Sequence, residues 1–149
     1  MSLSSPPATL SSMGVQIDVD YSGGLRCRLK HGPSGSMVET DAPKDNAGKG
    51  EAFSPTDLLA ASLVSCALTT IAIKAPGEGI EFGSADAHIE KIMSDSAPRR
   101  VARLVAELHL PAALPSADRE KLEAIGRGCP VALSLSSEIE VELRFIYDR

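Results

Sequence analysis

The stretch SPTDLLAASLVSCALTTIAIK, residues 54–74, decides the fold that the sequence predicts. Ser54 suits an N-cap, Pro55 suits the first helical position because its missing N–H costs nothing there, and Asp57 completes a capping box. Leu58–Ile73 carries no charge, and apolar or small side chains fall on every face. A surface helix would show a polar stripe. We therefore expect a central helix that other elements cover almost all round.

This helix needs more cover than one chain easily supplies. A chain of 149 residues suits one domain, and its few small layers cannot readily surround a helix of about 20 residues. We therefore expect a second copy of the chain to complete the covering. The alternative is that a sheet on one side and a shorter helix on the other suffice. We interpret residues 1–13, rich in Ser and Pro, as a flexible tail and residues 14–149 as a single domain.

The rest of the chain combines strands with short helices. Apolar and polar residues alternate, as in strands, over residues 15–21, 25–30, 37–40, 80–93, 100–110 and 139–147. The first two segments flank a turn at Gly23-Gly24 and predict a hairpin, and segments 80–93 and 100–110 predict an antiparallel pair. Ser116 is a candidate N-cap for one further helix, and Cys129-Pro130 begins another.

Composition and motifs exclude several classes of function. The net charge is −5, from 15 Lys and Arg against 20 Asp and Glu, and the only aromatics are three Phe and two Tyr. Nucleic-acid binding would therefore lack phosphate contacts and stacking groups. The three histidines stand in separate segments without ligand spacing, and no Gly-rich phosphate loop or G-x-S-x-G motif occurs. We expect no metal, no cofactor and no nucleic-acid partner.

The sequence also points to a cytoplasmic protein without a membrane partner. Residues 1–13 contain no Lys or Arg and no continuous apolar block, unlike a secretory signal. The uncharged stretch 58–73 is shorter than the roughly 18 residues expected of a membrane span.

The three cysteines are the remaining candidates for chemistry, and none forms a C-x-x-C pair. Taken alone, Cys66 in the uncharged helix is more often a buried structural residue than a nucleophile. Cys129 directly precedes Pro130 at a helix start, where N–H groups and the helix dipole favour a thiolate. Cys27 shares a strand face with leucines, so we expect it to be inert core packing.

The combination of two motifs resembles a known family. The segment SPTDLLAASLVSC, ending at Cys66, followed by C-P-V at residues 129–131, is similar to the OsmC/Ohr family of organic hydroperoxide reductases. The loop DAPKDNAGKG, residues 41–50, also resembles that family. The resemblance covers almost the whole chain. It implies an α+β intertwined homodimer, with antiparallel sheets wrapped around two long central helices and active sites at the subunit interface.

The resemblance assigns a role to each matching residue. Cys66 corresponds to the peroxidatic cysteine, which attacks a hydroperoxide and becomes a sulfenic acid, and Cys129 corresponds to the resolving cysteine, which condenses with it to a disulfide. Arg26 or Arg28 stands where the family has an arginine that keeps the sulfur anionic, with Arg26 preferred. A cation is needed because burial alone raises a thiol pKa. An external dithiol, such as a lipoylated protein, would regenerate the enzyme.

One position departs from the family pattern. Thr56 follows Pro55 where the peroxidases of the family carry a glutamate that anchors the arginine. Glu51, in the preceding loop, is a candidate substitute, although nothing in the sequence fixes its geometry.

Two functions therefore stand beside each other. The first is a thiol peroxidase with an antioxidant, stress-response role. The alternative is a relative without peroxidase activity that binds a small apolar ligand or senses redox state; a purely structural dimer is a third, weaker reading.

Overall fold

The computed structural model describes residues 14–149, so the predicted tail, residues 1–13, lies outside the described residues. The described chain falls into two compact units, one ending at Phe53 and the other running from Ser54 to Arg149. The assignment of residues 14–149 to one domain stays a prediction.

The first unit is a three-stranded antiparallel sheet. It contains β1 (Ile17–Tyr21), β2 (Arg26–His31) and β3 (Met37–Asp41), hydrogen-bonded in that order. The predicted hairpin and third strand are confirmed. Gly23 and Gly24 have φ of 98° and 69° in the turn between β1 and β2, a backbone region that glycine adopts without strain.

The two faces of this sheet differ in chemistry, because residues paired across strands share a face. One face carries Ile17, Val19, Tyr21, Cys27, Leu29 and Val38, together with His31 and Thr40. The other face carries Asp18, Asp20, Arg26, Arg28, Lys30, Glu39 and Asp41, together with Met37. On the apolar face, the β1 residues Ile17, Val19 and Tyr21 are 59%, 58% and 62% exposed in the single chain.

The second unit begins with the helix that the sequence predicts. Helix α1 (Pro55–Lys74) has the expected capping box: the Asp57 N–H donates to Ser54 Oγ at 3.1 Å, and the Ser54 N–H donates to Asp57 Oδ2 at 2.8 Å. A 3₁₀ turn, Ala75–Glu78, follows. The helix and this turn together form one segment that is long and apolar enough to cross a membrane by length and composition, a test that the core helix of a soluble protein also passes.

A three-stranded sheet packs against α1. Strands β4 (Asp86–Met93) and β5 (Val101–Leu110) are antiparallel, as expected, although β4 begins later than the predicted segment at residue 80. Strand β6 (Glu140–Tyr147) pairs with β5 in parallel, which the expectation of antiparallel sheets did not include. Two helices carry the chain from the end of β5 back to the start of β6, and such a crossover produces parallel pairing.

These two helices are α2 (Ser116–Arg127) and α3 (Pro130–Ser134). The prediction that Ser116 caps α2 is wrong. Ser116 is the first helical residue, Pro115 occupies the N-cap position, and no side chain caps this end. Proline suits this boundary because it needs no hydrogen-bond acceptor for its nitrogen. Cys129 is the N-cap of α3.

The core of the second unit confirms the α+β class. One stripe of α1 is buried, consisting of Ala60, Leu63, Ala67 and Ile71, and it meets buried residues of β5 and β6 such as Leu104, Leu108 and Leu143. The remaining faces of α1 are covered only in part, and Ile73 is 73% exposed. The single chain therefore covers one stripe of this helix, less than its all-round apolar surface calls for.

Candidate active site

The structure brings Cys66 and Cys129 together. Cys66 lies half-buried near the middle of α1, and Cys129 lies fully buried at the start of α3. The Cys66 thiol is close enough to Cys129 to contribute to the raised pKa of the Cys129 thiol, and Cys27, Cys66 and Cys129 are all free thiols. A partly exposed sulfur near a buried one suits disulfide formation, because the outer sulfur can meet an oxidant and the inner one can then condense with it.

Close packing at Gly126 accounts for this proximity. A Cβ built at Gly126 would lie 3.1 Å from Ile71 Cδ1 and 3.1 Å from Phe145 Cζ. The last turn of α2 therefore approaches α1 and β6 as closely as a residue without a side chain allows. The chain turns immediately afterwards, with the Cys129 N–H donating to the Gly126 carbonyl at 3.3 Å. This approach places Cys129 beside α1.

Burial opposes the thiolate that the helix start favours at Cys129. Burial raises the pKa of this thiol, and the neighbouring Cys66 sulfur adds to the increase. The Ala132 N–H donates to Cys129 Sγ at 3.5 Å and acts in the opposite direction, as expected of a helix start, but burial outweighs it. The net effect is a raised pKa for the Cys129 thiol.

Thr70 is a neighbour of Cys66 that sequence reasoning missed. Its Oγ1 lies 3.9 Å from Cys66 Sγ, within reach of a weak hydrogen bond to sulfur. The spacing of four residues on one helix was the available signal, because such residues share a face.

The two candidate arginines lie on the charged face of the first unit, and they differ in their surroundings. Arg26 donates to the Glu51 carboxylate and to Asp41 Oδ2, at 3.4 Å in the second case, and lies 3.6 Å from Glu39. Burial lowers the Arg26 pKa, but the bond to Glu51 and the three negative charges outweigh it, so the pKa is raised. Arg28 is exposed and has no ion pair with any residue from 14 to 149.

Thr56, the position that departs from the family pattern, is engaged by a lysine. Lys91 lies on the inward face of β4 with its side chain 14% exposed. Its Nζ donates to Thr56 Oγ1 at 2.8 Å and to Asp57 Oδ1 at 2.7 Å, with Ser54 Oγ at 3.4 Å. Lys91 was not among the residues predicted to matter, although its alternation with Ile89 in β4 indicated an inward side chain.

Cavities in the second unit do not all lie near the thiols. A cavity of about 270 Å³ is lined by Arg127, Ala132, Val141 and Leu143. Ala132 also donates its N–H to Cys129 Sγ, although neither Cys66 nor Cys129 lines this cavity. Another cavity, of about 530 Å³, lies around Ile80, Phe82 and Leu114, beyond the C-terminal end of α1. Within residues 14–149, no group of three or more His, Cys, Asp or Glu side chains is placed to hold a metal ion.

Comparison with known proteins identifies the family. Residues 48–144 match the family of OsmC-like proteins. The chain belongs to the OsmC-like family. No curated protein matches the chain.

Solved structures of this family share the fold. A protein from Psychrobacter arcticus 273-4, named for osmotic stress induction and a detoxification response, is 38% identical, with 92% of this chain and 98% of that chain covered and a TM-score of 0.83. An organic hydroperoxide resistance protein, OsmC, from Legionella pneumophila is 19% identical, with coverage of 92% and 99% and a TM-score of 0.71. OhrB of Bacillus subtilis, also an organic hydroperoxide resistance protein, is 13% identical, with coverage of 91% and 99% and a TM-score of 0.69. The predicted OsmC-like α+β fold is confirmed.

Proposed function

We propose that this OsmC-like protein is a thiol-dependent peroxidase that reduces organic hydroperoxides. The observation that carries the proposal is the pairing of a half-exposed Cys66 with a fully buried Cys129 in one unit. The names of its relatives from Legionella pneumophila and Bacillus subtilis support a role in peroxide stress, and that of the Psychrobacter arcticus protein supports detoxification.

The proposed reaction has two steps on the protein. The Cys66 thiolate attacks the distal oxygen of the hydroperoxide, the O–O bond breaks, and the alkoxide leaves with a proton as the alcohol. Cys66 is then a sulfenic acid, and the Cys129 sulfur displaces its hydroxyl to form the disulfide and release water. The raised pKa of the Cys129 thiol suits this order, because a protonated Cys129 does not compete for the peroxide.

An external dithiol completes the cycle. It attacks the Cys66–Cys129 disulfide by thiol–disulfide exchange, leaves as a cyclic disulfide and restores both protein thiols. We propose a small or protein-bound dithiol of the lipoyl type as this reductant, and no cofactor bound to the chain. A cytoplasmic location supplies such reductants, and neither nucleic acid nor a membrane is part of the proposal.

A cation near Cys66 is the third requirement, because a thiol among apolar groups has a raised pKa. We propose Arg26 for this role. A guanidinium stays charged when partly buried and offers several donors to a sulfur and a peroxide oxygen. The carboxylates around Arg26 support its choice over the exposed Arg28, since a catalytic donor needs a fixed position.

We propose that the working form is a homodimer. Two surfaces support this proposal, each in its own unit: the exposed apolar face of β1, and the faces of α1 beyond its buried stripe. Contiguous apolar surface of this kind marks an interaction site.

The function is tested by measuring the consumption of cumene hydroperoxide in the presence of a dithiol, with three variants that each replace one cysteine by serine. Cys66→Ser abolishes turnover. Cys129→Ser allows one oxidation, after which mass spectrometry finds sulfinic or sulfonic acid at Cys66, because no sulfur intercepts the sulfenic acid. Cys27→Ser is the matched control and keeps full activity. Full peroxide consumption by Cys66→Ser would show that the mechanism is wrong.

The second candidate is an OsmC-like protein without peroxidase activity that binds a small apolar ligand or senses redox state. The residue at position 56 favours it, because Thr56 has no carboxylate to serve as the acidic anchor of the family's peroxidases and its hydroxyl instead accepts a hydrogen bond from Lys91. Mass spectrometry after one equivalent of peroxide separates the two. A loss of two protons with a Cys66–Cys129 disulfide supports the peroxidase, whereas unmodified thiols support the binder.

A further inference from the structure

Arg26 is held by a carboxylate that lies outside the central helix. Its Nη2 donates to the Glu51 side chain, and the same nitrogen lies 3.4 Å from Asp41 Oδ2. Glu39 lies farther away, at 3.6 Å from Nη1, with no hydrogen bond to Arg26 among the described residues. Glu51 is thus the principal partner of this guanidinium.

The backbone at Glu51 is fixed, contrary to the expectation that nothing determines its geometry. The Glu51 N–H donates to Asp41 Oδ2 at 2.9 Å, and the Asp41 side chain is fully buried. The Asp41 N–H in turn donates to the Phe53 carbonyl at 3.0 Å. Asp41 therefore holds the backbone on both sides of Glu51 and also approaches the arginine that Glu51 binds.

The loop that leads to Glu51 is also closely packed. The Ala42 N–H donates to the Leu25 carbonyl at 3.1 Å, and the Gly50 N–H donates to the Ala42 carbonyl at 3.2 Å. A Cβ at Gly48 would collide with the same Ala42 carbonyl, so only glycine fits there. The segment 42–50 thus returns Glu51 to the edge of β3 along a defined path, although most of it is irregular.

The remaining donors of Arg26 are left for another group. The contacts that residues 14–149 make with this guanidinium use Nη1 and Nη2, which leaves the Nε–H without a carboxylate. Arg26 also lines a cavity of about 360 Å³ in the first unit, together with Arg28 and Glu39. An arginine whose Nη1 and Nη2 are held by carboxylates presents its charge, and the donor at Nε, in a fixed direction.

We propose that Glu51 is the positioning residue for Arg26, in place of the glutamate that the family's peroxidases carry at the position of Thr56. The Glu51 carboxylate binds the Arg26 guanidinium, and the Asp41 carboxylate accepts the Glu51 backbone N–H. The Thr56 hydroxyl accepts a hydrogen bond from Lys91 instead. This inference rests on the proposed function in one respect, namely that Arg26 stabilises the Cys66 thiolate.

The direction in which the pH midpoint of Cys66 alkylation shifts distinguishes a positioning role of Glu51 from a purely electrostatic one. Removing a carboxylate near Arg26 makes its surroundings more positive, which by electrostatics alone favours a thiolate and lowers the pH midpoint of Cys66 alkylation. Losing the Glu51–Arg26 ion pair raises the midpoint instead, because a mobile Arg26 guanidinium spends less time at the Cys66 sulfur. The charged groups on this sheet face that contribute to the field are Asp18, Asp20, Arg28, Lys30, Glu39 and Asp41.

The test compares Glu51→Gln with Glu39→Gln, using iodoacetamide and peptide mass spectrometry to follow Cys66. We expect Glu51→Gln to raise the alkylation midpoint by at least ~0.5 pH unit and to slow the reaction with cumene hydroperoxide about tenfold. Glu39→Gln removes the same charge without removing the Glu51–Arg26 ion pair and leaves the midpoint unchanged or lower. Glu51→Asp keeps the charge and recovers part of the rate. An unchanged or lowered midpoint in Glu51→Gln overturns the inference.

A double substitution tests whether Glu51 acts through Arg26. If it does, adding Glu51→Gln to Arg26→Gln causes no further loss of rate and no further shift of the midpoint. Independent, additive losses overturn the inference, and this comparison holds even if Glu51→Gln alone lowers stability. Failure of the proposed function is recognised separately, because wild-type Cys66 then does not react with peroxide. The inference itself is overturned when Arg26→Gln leaves the alkylation midpoint of Cys66 unchanged, since Arg26 then does not act on that thiol.

Discussion

Lys91→Met removes an inward-facing charge while keeping the length of the side chain. In the native protein, Lys91 Nζ donates to Thr56 and Asp57 at 2.8 and 2.7 Å, and its side chain is 14% exposed. Methionine fills the same volume between β4 and α1 but leaves both oxygens without this donor. Hydrogen bonds to charged groups contribute about 1.5–3 kcal/mol each.

The expected loss must be reduced for solvent, because the Asp57 side chain is 41% exposed and water replaces part of the lost bond. We therefore expect Lys91→Met to lower the free energy of unfolding by about 1–2 kcal/mol at pH 7. For a chain of this size the melting temperature then falls by roughly 3–6 °C. The matched control is Lys121→Met, since the Lys121–Glu78 pair is 3.7 Å apart with both side chains exposed, and we expect no measurable change.

The effect depends on pH with a defined sign. Burial raises the Asp57 pKa, but the bond from Lys91 and the hydrogen bonds from Ser54 outweigh it, so the pKa is lowered in the folded protein. A lowered carboxyl pKa stabilises the fold at pH values above the unfolded pKa of about 3.9. This stabilisation is lost as the pH falls through the pKa that Asp57 has in the folded protein. The gap between wild type and Lys91→Met should therefore shrink below pH 4. Urea unfolding at fixed protein concentration measures it, and an equal gap at pH 7 and at pH 2.5 would refute the argument.

Two further predictions concern packing and assembly. Gly126→Ala places a Cβ 3.1 Å from Ile71 and Phe145, so the cost of overpacking exceeds the gain of about 1 kcal/mol in helix propensity. We expect a lower free energy of unfolding, measured with urea, and slower Cys66–Cys129 disulfide formation, followed by timed mass spectrometry. Gly77→Ala is the control, because a Cβ at Gly77 has no atom within 4 Å. A Gly126→Ala protein with wild-type stability and rate would contradict the packing argument. Val19→Glu places a charge on the exposed apolar face of β1, and we expect it to shift the proposed homodimer towards monomer in sedimentation velocity. Asp20→Asn, on the opposite face of the sheet, is the control and should have no effect. A dimer that is unchanged in Val19→Glu would exclude this face from the interface.

Local signals in the sequence predicted most of the secondary structure. The capping box at Ser54 and Asp57 involves residues three apart, so the start of α1 could be recognised without any tertiary contact. Alternation located β1, β2 and β6 because one face of each strand is apolar. Ser116 was misplaced because Pro115 occupies the N-cap position that a serine would normally take.

The candidate site was predictable only in part. The motif around Cys66 and the C-P-V at residues 129–131 were visible in the sequence, and the structure places Cys66 near enough to Cys129 to influence its pKa. The raised pKa of the Cys129 thiol was not predictable, because its helix start favours a thiolate and the opposing effect of burial depends on tertiary packing. Lys91 escaped notice because a single lysine in an alternating strand does not reveal which acceptors lie opposite.

The amino-acid order alone was enough to predict the uncharged helix and the family, since each depends on short motifs along the chain. Folding in three dimensions decided which carboxylate holds Arg26, which cation meets Thr56, and that β6 runs parallel to β5. The physical reason is that ion pairs, burial and strand pairing join residues far apart in the sequence. Glu51 and Arg26 are 25 positions apart, and only the return of the loop to the edge of β3 makes them partners.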